Sequence, residues 1–340
     1  MKYQLTVLTP TLIGDGARLS PIDYMVWRDH VNVLDQPKIF KLLARGNRLE
    51  GYLSQLQRAT KLDFASWGGF AQNYADRRIP FEDAAVTAHW DRAPLDSLHI
   101  PTFRSTRTGP YIPGTALKGA LRNGFVFANP KTGSGPSDRM RVFSVADSDA
   151  GSRDPFRVFM LRVATLLPQG PDSYTLGWKP GTTFAEMAGP GAVFEGVWRE
   201  NEFLNREEVR QTLHWNAPVT RERLFEAANR YAGKQLELHA RYAAWTSLDG
   251  LAASVAELQK RLEAARNEGR CLLSLGWGAG FLSKSTTIGM PEEDQRKLLE
   301  TFPFYERAIK SGLPFPKTRR IVFLKDKPAT LPGWVELNIG

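Results

Sequence analysis

The chain has 340 residues, 42% of them hydrophobic, which is enough for two domains with sizeable cores and argues against disorder. Lysine and arginine outnumber aspartate and glutamate by 45 to 36, a net charge of +9 that favours a polyanionic partner. Cys271 is the only cysteine, which excludes an intrachain disulfide and a cysteine zinc site and suits a reducing cytoplasm. The alternating start Met1-Lys-Tyr-Gln-Leu-Thr-Val7 reads as a strand rather than a signal peptide, and no uncharged apolar run approaches the ~20 residues that span a bilayer. The expectation is a soluble cytoplasmic protein with no membrane partner.

Tyr3–Leu8 is the first predicted strand, followed by a turn-rich segment through Thr11, Gly14 and Gly16 to Arg18 and Ser20. Val31–Leu34 is the next strand. Pro37 opens a helix with Ile39, Phe40 and Leu43 on one face and Gly46 at its end. Glu50–Gln57 and Asp63–Tyr74 read as further helices, Ala84–Trp90 and Leu98–Pro101 as β-leaning pieces.

Pro113-Gly114 makes a turn, Thr115 is the expected N-cap, and a helix is predicted over Ala116–Phe127. Lys118 and Arg122 lie four apart and share a helix face, and the helix N-terminus offers free N–H groups to a phosphate. The competing reading of that face is ordinary solvation. Arg141–Asp149 reads as a strand entering an acidic turn, where Asp147 and Asp149 suit turn capping better than metal binding. A composition shift at Ala150–Pro155 suggests a boundary between units 1–150 and 151–340.

Phe156–Leu167 and Gly191–Arg199 are predicted strands. Asn205-Arg-Glu-Glu208 suggests a capping box with Leu204 as staple. Thr220 begins a long helical pattern reaching Trp245, and Leu248–Asn267 is strongly amphipathic. Pro291 starts a helix with Glu292, Glu293 and Asp294 in its first turn, and Ile321–Leu324 and Trp334–Ile339 are closing strands. The order of strands and helices in both halves predicts an α+β fold.

Before Pro291 lies the most informative stretch, Leu273-Ser-Leu-Gly-Trp-Gly-Ala-Gly-Phe-Leu-Ser-Lys-Ser-Thr-Thr287, entered from a short apolar strand. It fails as a nucleotide P-loop, because Ser283 stands where the second glycine belongs and Phe281 and Leu282 are bulky. It fails as a dinucleotide fingerprint, because Phe281 takes the third glycine position. Two readings remain. One is a turn that lets strand and helix pass closely. The other is a loop contacting a polynucleotide backbone, with Lys284 as point charge and Trp277 or Phe281 as stacking surface.

Three segments together resemble the RAMP superfamily of CRISPR-associated proteins. Tyr111-Ile-Pro-Gly-Thr-Ala-Leu-Lys-Gly-Ala-Leu-Arg122 is similar to that family's I-P-G-[ST]-[ST]-[LI]-K-G-x-[LI]-R signature, with Ala116 in place of a small hydroxyl residue. Thr9–Gly16 and the late glycine loop fall in the right order around it. Arg18–Tyr24, the G-W-G-x-G-[FY]-L-S-K form of the loop and Val145-Ala-Asp-Ser148 look most like the fifth Csm subunits of type III-A effector complexes.

The resemblance implies two ferredoxin-like (RRM-like) units with helical insertions. It implies a noncatalytic subunit that caps the backbone filament near the 3′ region of the CRISPR RNA and supports maturation of that RNA and antiviral defense. Implied partners are the CRISPR RNA, the adjacent RAMP backbone subunit and other effector subunits, with target RNA and a host trimming nuclease as further candidates. Implied RNA-facing residues are Gly114, Thr115, Lys118 and Arg122 in the signature, and Gly276, Gly278, Gly280 and Lys284 in the loop. Arg18 joins them as an early cation, and residue type rather than the resemblance adds Trp277 as a stacking surface. No cofactor and no metal enter this expectation.

Some RAMPs cleave CRISPR repeats with a histidine. Of His30, His89, His99, His214 and His239, the best placed is His30, with Tyr24 and Lys38 near it in sequence. A metal-independent endoribonuclease is therefore the alternative reading, a Cmr-type backbone or capping subunit another, and a pure scaffold the third class.

Overall fold

The computed structural model describes residues 1–44, 48–57, 73–130, 135–171 and 173–340. In chain order the first elements are β1 (Lys2–Val7), β2 (Arg18–Leu19), β3 (Tyr24–Trp27), β4 (His30–Leu34), α1 (Gln36–Leu43), α2 (Arg48–Gln57), β5 (Ala75–Pro80), α3 (Ala84–Asp91) and β6 (Ile100–Pro101). The middle of the chain forms α4 (Gly114–Ala128), β7 (Phe143–Ser148), β8 (Phe156–Gly170), β9 (Ser173–Trp178), β10 (Thr183–Ala188), β11 (Val193–Glu200), α5 (Glu207–Thr212), α6 (Arg221–Thr246) and α7 (Asp249–Asn267). Then follow β12 (Cys271–Ser274), α8 (Glu292–Glu300), α9 (Pro303–Ile309), β13 (Thr318–Leu324), β14 (Lys327–Thr330) and β15 (Trp334–Ile339). Gly46 and positions 63–72 of the helix expected to end at Tyr74 lie outside the described residues.

The first sheet runs β12-β15-β1-β11-β7, every neighbour antiparallel. Within it, β15-β1-β11-β7 with the helices α4 and α6 reproduces the strand order of a ferredoxin-like β-α-β-β-α-β unit, and β12 is added at the edge. Strands from both sides of residue 150 share this sheet, so the chain passes between the two expected units repeatedly. Alternation sets its core face: Tyr3, Leu5 and Val7 point inward, and Leu5 pairs with Phe194 on one side and Leu337 on the other. Leu117, Leu121 and Phe125 of α4 and Leu224 and Phe225 of α6 close over them. The two helices cross tightly at Gly124, where an added Cβ would lie 2.7 Å from the Ala228 Cα.

The second sheet runs β10-β8-β13-β14, with β9 on the far half of the long strand β8. Leu251, Val255, Leu258 and Leu262 of α7 pack on it and on Trp334, as the amphipathic pattern predicts. A small sheet, β3-β4-β5, and helix α3 cover the opposite side through Tyr24, Val31, Val86 and Trp90.

Three local expectations differ from what forms. Ala84–Trp90 is helical, because Asp83 caps it by accepting from the Ala85 N–H at 2.9 Å and Val86 and Trp90 bury one side. Helix α4 begins at Gly114, so Thr115 sits inside its first turn and makes no cap. Asn205 does not cap α5. Its side chain instead clamps Val219, accepting from the N–H at 2.9 Å and donating to the carbonyl at 2.8 Å.

Candidate nucleic-acid interface

The glycine loop leaves β12 at Ser274 and turns back over the Thr9–Gly16 segment. Gly276 has φ +88°, and a Cβ there would lie 2.4 Å from the Leu12 carbonyl oxygen. Only glycine fits this approach. Next to it the Trp277 N–H donates to that same oxygen at 2.7 Å. The loop is held from below by helix side chains. Tyr231 donates to the carbonyls of Leu282 at 2.6 Å and Ser285 at 2.8 Å, Gln235 donates to Leu282 at 3.1 Å, and Asn123 donates to Ser283 at 3.0 Å.

Between the loop, the Leu12–Arg18 segment and one face of α4 lies a cleft of about 660 Å³. Five of the expected RNA-facing residues line it: Arg18, Thr115, Gly276, Trp277 and Lys284. The α4 wall is Thr115, Ala116, Gly119, Ala120 and Asn123, a stripe of small side chains on which a ligand can lie close to the helix. The charged side chains lining the cleft among the described residues are Arg18 and Lys284, both exposed, and no carboxylate lines it.

The other expected residues are placed elsewhere. Lys118 and Arg122 line neither this cleft nor the one behind the loop. At 3.6 residues per turn they sit roughly a quarter to a third of a turn around α4 from the small-residue stripe. The Lys118 ammonium donates to the Phe143 carbonyl at 2.7 Å, and partial burial pushes its pKa down. Arg122 pairs with Asp138. Gly114 is buried, and its N–H donates to the Asp147 carboxylate at 2.8 Å, so the first amide of α4 already serves an anion from β7. A Cβ on Gly114 would lie 2.1 Å from the Val145 carbonyl oxygen, which makes this signature glycine a packing requirement. Gly278 and Gly280 face the opposite side of the loop.

The aromatic residues of the loop divide. Phe281 meets Tyr305 and Phe315 edge-on and packs beside Leu282 and Ile288, so it anchors the loop internally. Trp277 is half-buried against the main core with the Arg320 guanidinium 4.2 Å from its ring centre. The histidines line no part of the cleft. His30 contacts Asp29 at 2.7 Å, His89 contacts Asp326 at 2.6 Å, and His239 is buried against Arg319.

Residues missed from sequence are Ala116, Gly119, Ala120 and Asn123 of the α4 stripe, and Arg319 and Arg320. Two adjacent arginines in a strand carry a signal, since successive side chains alternate faces and one of them must turn inward.

No helix among the described residues is long and apolar enough to cross a membrane. No curated protein matches the chain. Among solved structures, a chain of a Csm–crRNA–target RNA ternary complex of a type III-A CRISPR-Cas system is similar over 99% of this chain and 100% of its own, with TM-score 0.72 and 20% identity. The crystal structure of Csm5 from T. onnurineus is similar over 98% of this chain and 99% of its own, with TM-score 0.65 and 18% identity. These likenesses carry the mixed helix and antiparallel-sheet fold with its ferredoxin-like units. Residues 4–283 match the RAMP superfamily, and the chain belongs to that family.

Proposed function

We propose that this chain is a noncatalytic subunit of a type III-A Csm effector complex that caps the backbone filament and holds the 3′ region of the CRISPR RNA in the cleft beside the glycine loop. The observation that carries the reading is the cleft itself. It is open, no carboxylate among the described residues lines it, it bears the exposed cations Arg18 and Lys284, and one wall is a helix stripe small enough for a sugar–phosphate strand to approach. Distributed cations and main-chain groups suit binding that ignores base sequence, as a variable guide demands. Full-length likeness to a chain of a Csm–crRNA–target RNA complex supports the same assignment. The cytoplasm and the neighbouring effector subunits follow from it.

The test is the RNA that copurifies with the assembled complex. Arg18→Ala with Lys284→Ala should lower guide content or change guide length, and unchanged guides would remove the role given to the cleft. Incubation of the chain with repeat RNA without magnesium should leave the RNA intact; cleavage that disappears with His30→Ala would replace this reading by the endoribonuclease one.

A further inference from the structure

Behind the glycine loop lies a second cleft of about 290 Å³, and it contains an arrangement that the first cleft does not explain. Arg319, only 8% exposed, reaches it from β13. A buried guanidinium is costly unless an anion accompanies it. Arg319 has none among the described residues. Its Nε donates to His239 Nδ1 at 3.1 Å, its Nη1 donates to the carbonyls of Pro316 and Thr318, and the group sits 4.6 Å from the centre of the Tyr242 ring. These partners are neutral. Burial keeps His239 neutral, and the Arg319 pKa is pushed down to about 10 by burial with no carboxylate to offset it.

Two further cations border the same cleft without an ion pair among the described residues. Arg320 stacks on Trp277, and its buried Nε has no hydrogen-bond partner. Lys179 is exposed at the rim. Gly278 and Gly280 complete the wall with backbone in the left-handed region, φ +91° and +82°. The loop is thus a partition: Gly276 and Trp277 face the first cleft, Gly278 and Gly280 the second.

We propose that Arg319, Arg320 and Lys179 form a second phosphate site that takes a phosphodiester of the same single strand after it crosses the glycine loop. The proposal rests on the RNA reading of the first cleft. Arg319 supplies a fixed charge whose direction His239 sets, Arg320 supplies a second guanidinium with no carboxylate paired to it among the described residues, and Lys179 adds an exposed charge. Arginine suits the task because its planar fork of donors matches phosphate oxygens.

The experiment is equilibrium binding of a 20-nucleotide single-stranded RNA to the full-length chain across a salt series, where each phosphate neutralised contributes about 0.7 to the slope of log K against log salt. Lys179→Ala with Arg320→Ala, both outside the fully buried core, should lower the slope by about 0.7 to 1.4. Arg319→Met should lower it further if the variant keeps its melting temperature. A slope unchanged in the Lys179/Arg320 variant but lowered by Arg18→Ala with Lys284→Ala would overturn the second site and leave the first cleft standing. No salt-dependent binding by the wild-type chain would overturn both. A melting temperature raised by inorganic pyrophosphate in wild type but not in the Lys179/Arg320 variant, with equal RNA slopes, would reassign the site to a free anion and overturn the strand-crossing proposal.

Discussion

The side-chain amide of Asn123 donates to the Ser283 carbonyl at 3.0 Å, joining the family's signature helix to its glycine loop across 160 positions of sequence. Both ends of that bond line the cleft. The relative position of the two walls is therefore fixed by hydrogen bonds from α4 and α6 before any ligand arrives. Asn123→Ala removes one such tie and should cost about 1 kcal/mol. Hydrogen exchange should show faster opening of the amides of Ser283, Lys284 and Ser285, with α4 itself unaffected; unchanged protection there would mean that Tyr231 and Gln235 suffice.

Gly276→Ala puts a methyl group 2.4 Å from the Leu12 carbonyl and forces a side chain onto φ +88°. The strain should destabilise the protein by about 1–3 kcal/mol. Gly280→Ala is the comparison, because its left-handed backbone is similarly unusual but the space around it is open. Thermal melts should rank Gly276→Ala below Gly280→Ala. Equal melting temperatures would show that the loop can lift away from Leu12.

Lys118 and Arg122 should separate from Arg18 and Lys284 in function. Lys118 holds the start of β7 through the Phe143 carbonyl, and Arg122 holds Asp138. Their joint replacement by alanine should lower stability by about 1–2 kcal/mol and leave the RNA salt slope in place. Replacing Arg18 and Lys284 should do the reverse. A lower RNA slope in the Lys118/Arg122 variant, measured at a temperature where it is folded, would restore those two residues to the interface.

His239 gives the fold a defined acid sensitivity. Burial, then the charge of Arg319, lowers its pKa well below 6.5, so below pH 6.5 the unfolded chain binds a proton that the folded chain refuses. Linkage then makes stability fall as pH drops, by up to about 1.4 kcal/mol per pH unit from this one group. The contribution is complete above pH 6.5 and is lost progressively below it. Denaturant titrations of wild type and His239→Gln between pH 7 and pH 5 should show a shallower decline in the variant, since glutamine can accept from Arg319 without titrating. Parallel declines would place the acid sensitivity elsewhere.

The parts of the fold legible in sequence were those where one periodicity rules. β1 alternates because one face is core, and α6 and α7 show their buried stripes because each packs along one side. Ala84–Trp90 misled because a short apolar run reads alike as helix or strand until the cap at Asp83 is weighed. The strand pairing was not legible at all: nothing local marks Trp334–Ile339 as the partner of both β1 and β12. For the site, residue type identified the glycine loop and the signature helix, and the fold does bring them together. It could not say which face of α4 turns to the cleft. Lys118 and Arg122 looked suited to RNA by charge, while the wall is made of Thr115, Ala116, Gly119, Ala120 and Asn123, whose small size carries no message until the loop opposite is in place. Gly114 shows the same limit: a glycine kept free for a ligand and one kept for the Val145 carbonyl look identical in a string of letters.

Because β15 is seated between β1 and β12, Lys2–Val7 waits during synthesis for Trp334–Ile339, far downstream in the chain. Until Trp334–Ile339 has emerged, one hydrogen-bonding edge of β1 is unpaired, and so is the edge of β12 that β15 covers. A nascent chain therefore carries an open β1 edge while everything between β1 and β15 is made, the condition under which strands pair with the wrong neighbour. Gly333–Ile339 acts as a latch: its arrival closes the ferredoxin-like sheet and, through the Trp334 and Gly333 amides that grip Thr9 and Pro10, sets the floor on which the Leu12 carbonyl meets the loop.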